Sequence, residues 1–169
     1  DIAKACRKKG IKTVAVSAGY MMPEARSIFY RHIDAANIDL KAFTQMFYKR
    51  LCFAQLGPVL DTLTYLRHET NVWFEITTLL IPGENDSDDE IQSLSEWIKG
   101  ELGVDVPLHF TAFHPDFRMM QTASTPSETL IRARNIALDV GLNYVYVGNV
   151  HDTVGGSTYC SNCSSLIIE

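Results

Sequence analysis

At 169 residues, with 46% hydrophobic and 21% charged residues, the chain has the size and composition of one ordinary folded domain rather than a disordered segment. A net charge of −5 and scattered Lys and Arg residues exclude the basic stripe of a nucleic-acid binder, and no run reaches the roughly 18 to 20 apolar residues of a membrane span. The opening DIAKACRKKG lacks a signal-peptide core, so a cytoplasmic setting is expected, with neither nucleic acid nor membrane as partner.

The spacing predicts a helix over residues 1–9, closed by Gly10, and a short β-branched strand over 12–17 that ends at the turn Ala18-Gly19-Tyr20. Pro23 opens a second helix to about Arg31, and residues 33–41 read as the next strand. Pro58 begins a helix with Val59, Leu63 and Leu66 on one face, and residues 72–81 form a third strand stopped by Pro82-Gly83. Ser87 with Glu90 reads as a capping box, and Thr125-Pro126 with Glu128 as a second helix start leading to Gly141. Strands are expected at 106–113 and 143–147, with long irregular stretches at 114–124 and 149–159. Asp1 already lies inside a helical pattern and Glu169 follows a strand-like Leu166-Ile167-Ile168, so a piece of a longer chain is expected.

Strands separated by helices of this length pair in parallel through right-handed crossovers, which gives an α/β fold. Side chains alternate between the faces of a strand, so each strand divides into two sets. One set holds Thr13, Ala15 and Ser17; Asn37, Asp39 and Lys41; Glu75 and Thr77; and His109 and Thr111. The other holds Val14 and Val16; Ala36, Ile38 and Leu40; Phe74 and Ile76; and Leu108, Phe110 and Ala112. Parallel strands are normally apolar on both faces, so a polar set recurring on four strands predicts a barrel interior, with helices covering the apolar set. An exposed sheet face is the alternative. Ligands of α/β barrels sit at the C-terminal strand ends, where Ser17, Asp39, Lys41 and His114 all fall.

The four cysteines are too few for a secreted disulfide framework. Cys6 and Cys52 lie in helical patterns and read as small buried thiols, whereas Cys160-Ser161-Asn162-Cys163 has the spacing of half a zinc or iron knuckle, or of a redox pair.

Four strand-end segments stand in register: Val16-Ser17-Ala18-Gly19-Tyr20, Asn37-Ile38-Asp39-Leu40-Lys41-Ala42-Phe43, Thr77 to Ser87 with its Ile81-Pro82-Gly83-Glu84-Asn85-Asp86-Ser87, and His109 to Pro115. Their order resembles the radical S-adenosylmethionine (radical SAM) enzymes related to pyruvate formate-lyase activating enzyme, and most of all the radical SAM member of the AmmeMemoRadiSam group. That resemblance spans nearly the whole chain. It implies an incomplete (β/α) barrel over residues 1–148, and a C-terminal extension over 149–169 with the Cys-x2-Cys knuckle. It further implies an iron-sulfur oxidoreductase whose 4Fe-4S cluster cleaves S-adenosylmethionine to a 5′-deoxyadenosyl radical, which takes hydrogen from a protein or small-molecule substrate. An electron donor to the cluster is implied as a partner.

The family's Cys-x3-Cys-x2-Cys loop is missing from these 169 residues, so the fragment is expected to lack cluster ligands and activity. By resemblance, Asp39 and Lys41 meet the ribose or carboxylate of the cofactor or the substrate, Ser17 lines its methionine end, and His114 contacts its adenosine part. Asn37 and Thr77 complete the cofactor-binding set, Thr77 standing where activating enzymes tend to carry Arg. Ala18 replaces a common Asn, while Ser161 and Ser164 replace the Pro and Gly of the family's knuckle, whose Cys160 and Cys163 are the candidate ligands for zinc or iron. Two other readings remain from the residues alone: an aldolase-like barrel with Lys41 as Schiff-base nucleophile, and a non-catalytic metal-knuckle interaction module.

Overall fold

Five short strands rich in β-branched and aromatic residues pair side by side in chain order. The computed structural model describes residues 1–169. Its elements are α1 (Ile2–Lys8), β1 (Val14–Ser17), α2 (Pro23–Tyr30), β2 (Ala35–Asp39), α3 (Gln45–Phe47), α4 (Gly57–Glu69), β3 (Trp73–Leu80), α5 (Asp88–Trp97), β4 (Leu108–Ala112), α6 (Ser127–Val140), β5 (Val145–Gly148), α7 (Thr153–Gly156), β6 (Thr158–Tyr159) and β7 (Leu166–Ile168). Strands β1 to β5 form one all-parallel sheet in the order β1-β2-β3-β4-β5, and β6 and β7 form a separate antiparallel hairpin. The α/β class and the incomplete barrel expected from the sequence are both present.

Parallel partners share a face, so the register settles the sidedness of the sheet. Ile38 lies beside Ile76, and Ile76 beside Leu108. These three join Leu40, Phe74, Leu80 and Phe110, with Val59, Leu63 and Leu66 of α4, Ile91 and Leu94 of α5, and Leu130 and Ala137 of α6, in one buried core. Fully burying a Leu, Ile or Phe is worth about 1.5–3 kcal/mol, so this face dominates the stability. The opposite face carries Asn37, Asp39, Glu75, Thr77, His109, Thr111 and Tyr146 and stays partly open.

The structure corrects the assignment of β1. Val16 pairs with Asn37 and Ser17 with Ile38, so the valines are on the polar face and Ser17 is on the helix face. Val14 and Val16 are 67% and 79% exposed, because β1 is an edge strand and nothing packs on that side. β-Branching alone suits a strand on either face. Gly19 fixes the exit of β1: its φ is +66°, and a Cβ there would meet Ile38 Cγ2 at 2.9 Å. The polar face is correspondingly an open half-barrel wall rather than a sealed interior, with Asp39 and Lys41 side chains 34% and 41% exposed.

Both expected helix starts are also modified. The Ser87 hydroxyl accepts from Glu90 N, but the Glu90 carboxylate leaves the capping box and takes Phe43 N at 2.7 Å. Thr125 does not cap α6, whose N-cap is Pro126. Its buried hydroxyl donates to Leu80 O at 2.6 Å and accepts from Phe113 N at 3.0 Å, tying the exits of β3 and β4 together.

Substituting Thr125→Val strips two buried backbone groups of their partner and should cost about 1–3 kcal/mol in urea unfolding. Thr111→Val, the same change on the open face, should stay within about 0.5 kcal/mol. Equal losses in the two variants would mean that both faces are covered.

Candidate functional site

The open face is organised as diagonal polar pairs between neighbouring strands. Thr77 Oγ1 donates to Asn37 Oδ1 at 2.9 Å, and His109 Nε2 lies 2.8 Å from Glu75 Oε2. The His109 ring stacks on Tyr146 with centroids 4.9 Å apart, and the Tyr146 hydroxyl meets Thr158 Oγ1 at 3.1 Å. At the C-terminal end of β2, Lys41 Nζ donates to Asp39 Oδ2 at 2.9 Å.

Lys41 is clamped through its backbone by side chains from two other segments. Its N–H donates to the Tyr48 hydroxyl at 3.1 Å and its carbonyl accepts from Asn85 Nδ2 at 2.7 Å. Asn85 is buried; Nδ2 also donates to Leu79 O, and Oδ1 accepts from Ile81 N at 2.7 Å. The Asn of Ile81-Pro82-Gly83-Glu84-Asn85 thus couples the exits of β2 and β3. Two residues beyond Lys41, Phe43 N is held by Glu90.

Burial pushes the Tyr48 phenol far above its ordinary value, so it remains a neutral hydroxyl able to accept from Lys41 N. Tyr48 opens a π-helical turn, Tyr48–Cys52, that ends at Phe53. Burial also raises the half-buried Cys52 thiol, against the opposing charge of Lys41. A π-turn is rare and clusters at functional sites. Phe53 and, after β4, Phe117 both hold positive φ, 51° and 47°, while 88% and 80% exposed. Two bulky residues are thus strained at the rim of the strand ends.

Of the expected site residues, Asn37, Asp39, Lys41 and Thr77 share the open face, and His114 stands exposed just past β4. Ser17 does not share that face: it pairs with Ile38 on the helix-covered side, and its hydroxyl accepts from Gly19 N at 3.1 Å. Cys160 and Cys163 belong to the β6–β7 hairpin, a different element. Sequence parity put Glu75 and His109 on the right face without giving them a role. Asn85 and Glu90 carried readable motif signals, whereas Tyr48 had none, because π-helical geometry has no period to read.

The adjacent cation and anion of Lys41 and Asp39, with hydroxyl and amide groups beside them, suit a ligand bearing carboxylate, ammonium or ribose hydroxyl groups. The cysteines do not suit an iron-sulfur cluster. Cys6, Cys52 and the 160/163 pair lie on three separate elements, and nowhere do three His, Cys, Asp or Glu side chains gather as a metal site.

No protein-family model matches the chain. Over all 169 residues it is 41% identical to the uncharacterized protein MJ0808 of Methanocaldococcus jannaschii, and it spans about half (50%) of that protein's length. Among solved structures, a domain of a pyruvate-formate lyase-activating enzyme from Bacteroides vulgatus superposes with a TM-score of 0.75 at 21% identity, covering 88% of each chain. A radical SAM methyltransferase from Sphaerobacter thermophilus superposes with a TM-score of 0.66 at 17% identity, covering 94% of this chain and 46% of the other. The chain therefore shares the fold of these proteins.

Glu90 gives the site a pH signature. Burial raises its carboxyl above the ordinary 4.5, the Phe43 N–H opposes this, and Asp86 adds to it. A carboxyl raised on folding lends its stability at low pH and loses it as the pH climbs through the folded-state value. Glu90→Gln, which keeps an acceptor for Phe43 N, should therefore gain on the wild type in urea midpoint as the pH rises above about 4.5. An unchanging difference across about pH 4 to 8 would mean that Glu90 is not held against its charge.

Proposed function

We propose that this chain is the C-terminal part of a radical SAM enzyme of the AmmeMemoRadiSam type, in which the open face binds S-adenosylmethionine and the substrate. One observation carries the reading: Asp39 and Lys41 are paired and locked at the C-terminal end of a parallel strand, on the uncovered wall of a half-barrel. The four motifs in register and the fold shared with a radical SAM methyltransferase support it.

In this reading residues 1–148 are the barrel part and 149–169 an extension, Asn37, Asp39, Lys41 and Thr77 hold polar groups of the cofactor, and His114 meets its adenosine end. When bound, S-adenosylmethionine would supply radical chemistry for hydrogen abstraction, given one electron from a 4Fe-4S cluster held outside these residues and with methionine leaving. This chain's own residues bind, orient and shield. Lys41 offers a cation to a carboxylate, Asp39 accepts from an ammonium or hydroxyl, and Asn85, Tyr48 and Glu90 keep the segment bearing Lys41 from moving. The wall below them, with Glu75, His109 and Tyr146, is the surface offered to the substrate, which is a protein or a small molecule. Cluster ligands and the electron donor's docking surface come from outside these 169 residues. A Schiff-base role for Lys41 fits less well, because Nζ is committed to Asp39 rather than presented free.

In the cluster-bearing full-length protein, Asp39→Ala and Lys41→Ala should each lower 5′-deoxyadenosine production about ten- to hundredfold, the range of a lost charged hydrogen bond. Their thermal midpoints should fall much less in proportion, with the exposed helix variant Arg67→Ala as control. Near-normal 5′-deoxyadenosine yield in both variants would reduce the pair to a structural ion pair.

A further inference from the structure

Below the level of Asp39 and Lys41, the open face carries a second pocket. Trp73 and Glu75 of β3, Tyr144 just before β5 and Tyr146 within it, and His109 of β4 line a cavity of about 490 Å³. Thr158 and Ile168 of the β6–β7 hairpin form its far side, and the Tyr146 hydroxyl, 3.1 Å from Thr158 Oγ1, holds the hairpin to the wall. Asp39 pairs with Thr77, two residues beyond Glu75, so this pocket sits about 6–7 Å nearer the N-terminal strand ends than the Asp39–Lys41 pair.

The walls of the pocket are of one kind and its charge is of one sign. Trp73, Tyr144 and Tyr146 present aromatic rings, and no Lys or Arg lines the cavity. Its carboxylate, Glu75, has a histidine as ion-pair partner rather than a permanent cation. His109 Nε2 lies 2.8 Å from Glu75 Oε2; with the proton on Nε2, the ring's Nδ1 becomes an acceptor, and Glu75 Oε1 is left to accept as well. Stacking on Tyr146, with centroids 4.9 Å apart, fixes the plane of the imidazole. Trp73 is 60% exposed, and the indole is the aromatic face that attracts cations most strongly.

Two acceptors beside aromatic faces match a primary ammonium group, which carries three N–H donors and no acceptor. A carboxylate or phosphate would meet Glu75 as a like charge with no cation to offset it. A quaternary ammonium would leave both acceptors unused. We propose that this lower pocket binds a primary organic ammonium bearing an apolar or aromatic arm, its nitrogen donating to Glu75 and to His109 Nδ1 and its arm lying against Trp73 and the tyrosines. As a subsite of the wall assigned above to the substrate, the pocket would make that substrate an amine; this role rests on the radical SAM reading, whereas the binding does not.

Calorimetric titration of the full-length protein with phenethylamine at neutral pH, without S-adenosylmethionine, tests the binding. Expected is one saturable site per chain, with phenethyl alcohol, the uncharged analogue, bound about tenfold or more weakly. Glu75→Gln should lower the affinity for the amine about ten- to hundredfold, and Trp73→Leu about threefold. Thermal midpoints should stay near the wild type, because both side chains are partly open to solvent. No saturable binding, equal binding of the alcohol, or a loss in Asp39→Asn with none in Glu75→Gln would overturn the site. The 5′-deoxyadenosine yields of Asp39→Ala and Lys41→Ala decide the radical SAM reading separately, whichever way the titration falls.

Discussion

Parallel strands joined by right-handed crossovers place the helices on one side of the sheet, and that one-sidedness governs the rest of the molecule. The covered side collects Ile38, Leu40, Ile76, Leu108 and Phe110 against α4, α5 and α6 and supplies the hydrophobic stabilisation. The uncovered side is released from packing demands and carries carboxylates, a lysine, a histidine and amides that would be costly in a sealed core. Even there the polar groups satisfy one another in diagonal pairs, so the wall stays ordered without a lid.

Placing chemistry on such a wall requires the loops at its edge to hold still. The molecule does this with a few buried or half-buried polar side chains that bridge separate segments. Asn85 spans the ends of β2 and β3, Thr125 those of β3 and β4, and Glu90 reaches from α5 to Phe43. Each bridge satisfies backbone groups that a strand end would otherwise leave unpaired, and each comes from a different motif. Buried polar networks fix one arrangement strongly because an incomplete one is so unfavourable. The geometry of Lys41 is therefore a property of three loops together.

Much of this was legible in the sequence because period-two alternation is unambiguous wherever large apolar residues alternate with charged ones. Asn37 to Lys41 and Phe74 to Thr77 alternate in that way, and the structure keeps both faces as read. Thr13 to Ser17 alternates small residues with valines, and the reading inverted: at an edge strand there is no second layer to bury the valines, so hydrophobicity says nothing about side. Strand-end residues could be gathered from parity, but their bridging partners could not. A capping-box Glu and a would-be N-cap Thr both found backbone groups at or beyond distant strand ends, and tertiary partners of that kind leave no local signal. The π-turn at Tyr48–Cys52 was equally hidden.

The strand order has a consequence for how such a chain acquires its structure. Every strand lies next to its immediate predecessor, one crossover away, so no strand must be inserted between two that are already paired. Each new βα unit docks on a finished edge, and loop closure is met in modest instalments rather than one long excursion. Growth of this kind is directional and divisible, as in stacked repeats, where stability accrues unit by unit along a line. A sheet of this order keeps one continuous core, because the buried residues of β2 to β5 all face the same helices and β1 sits at its edge.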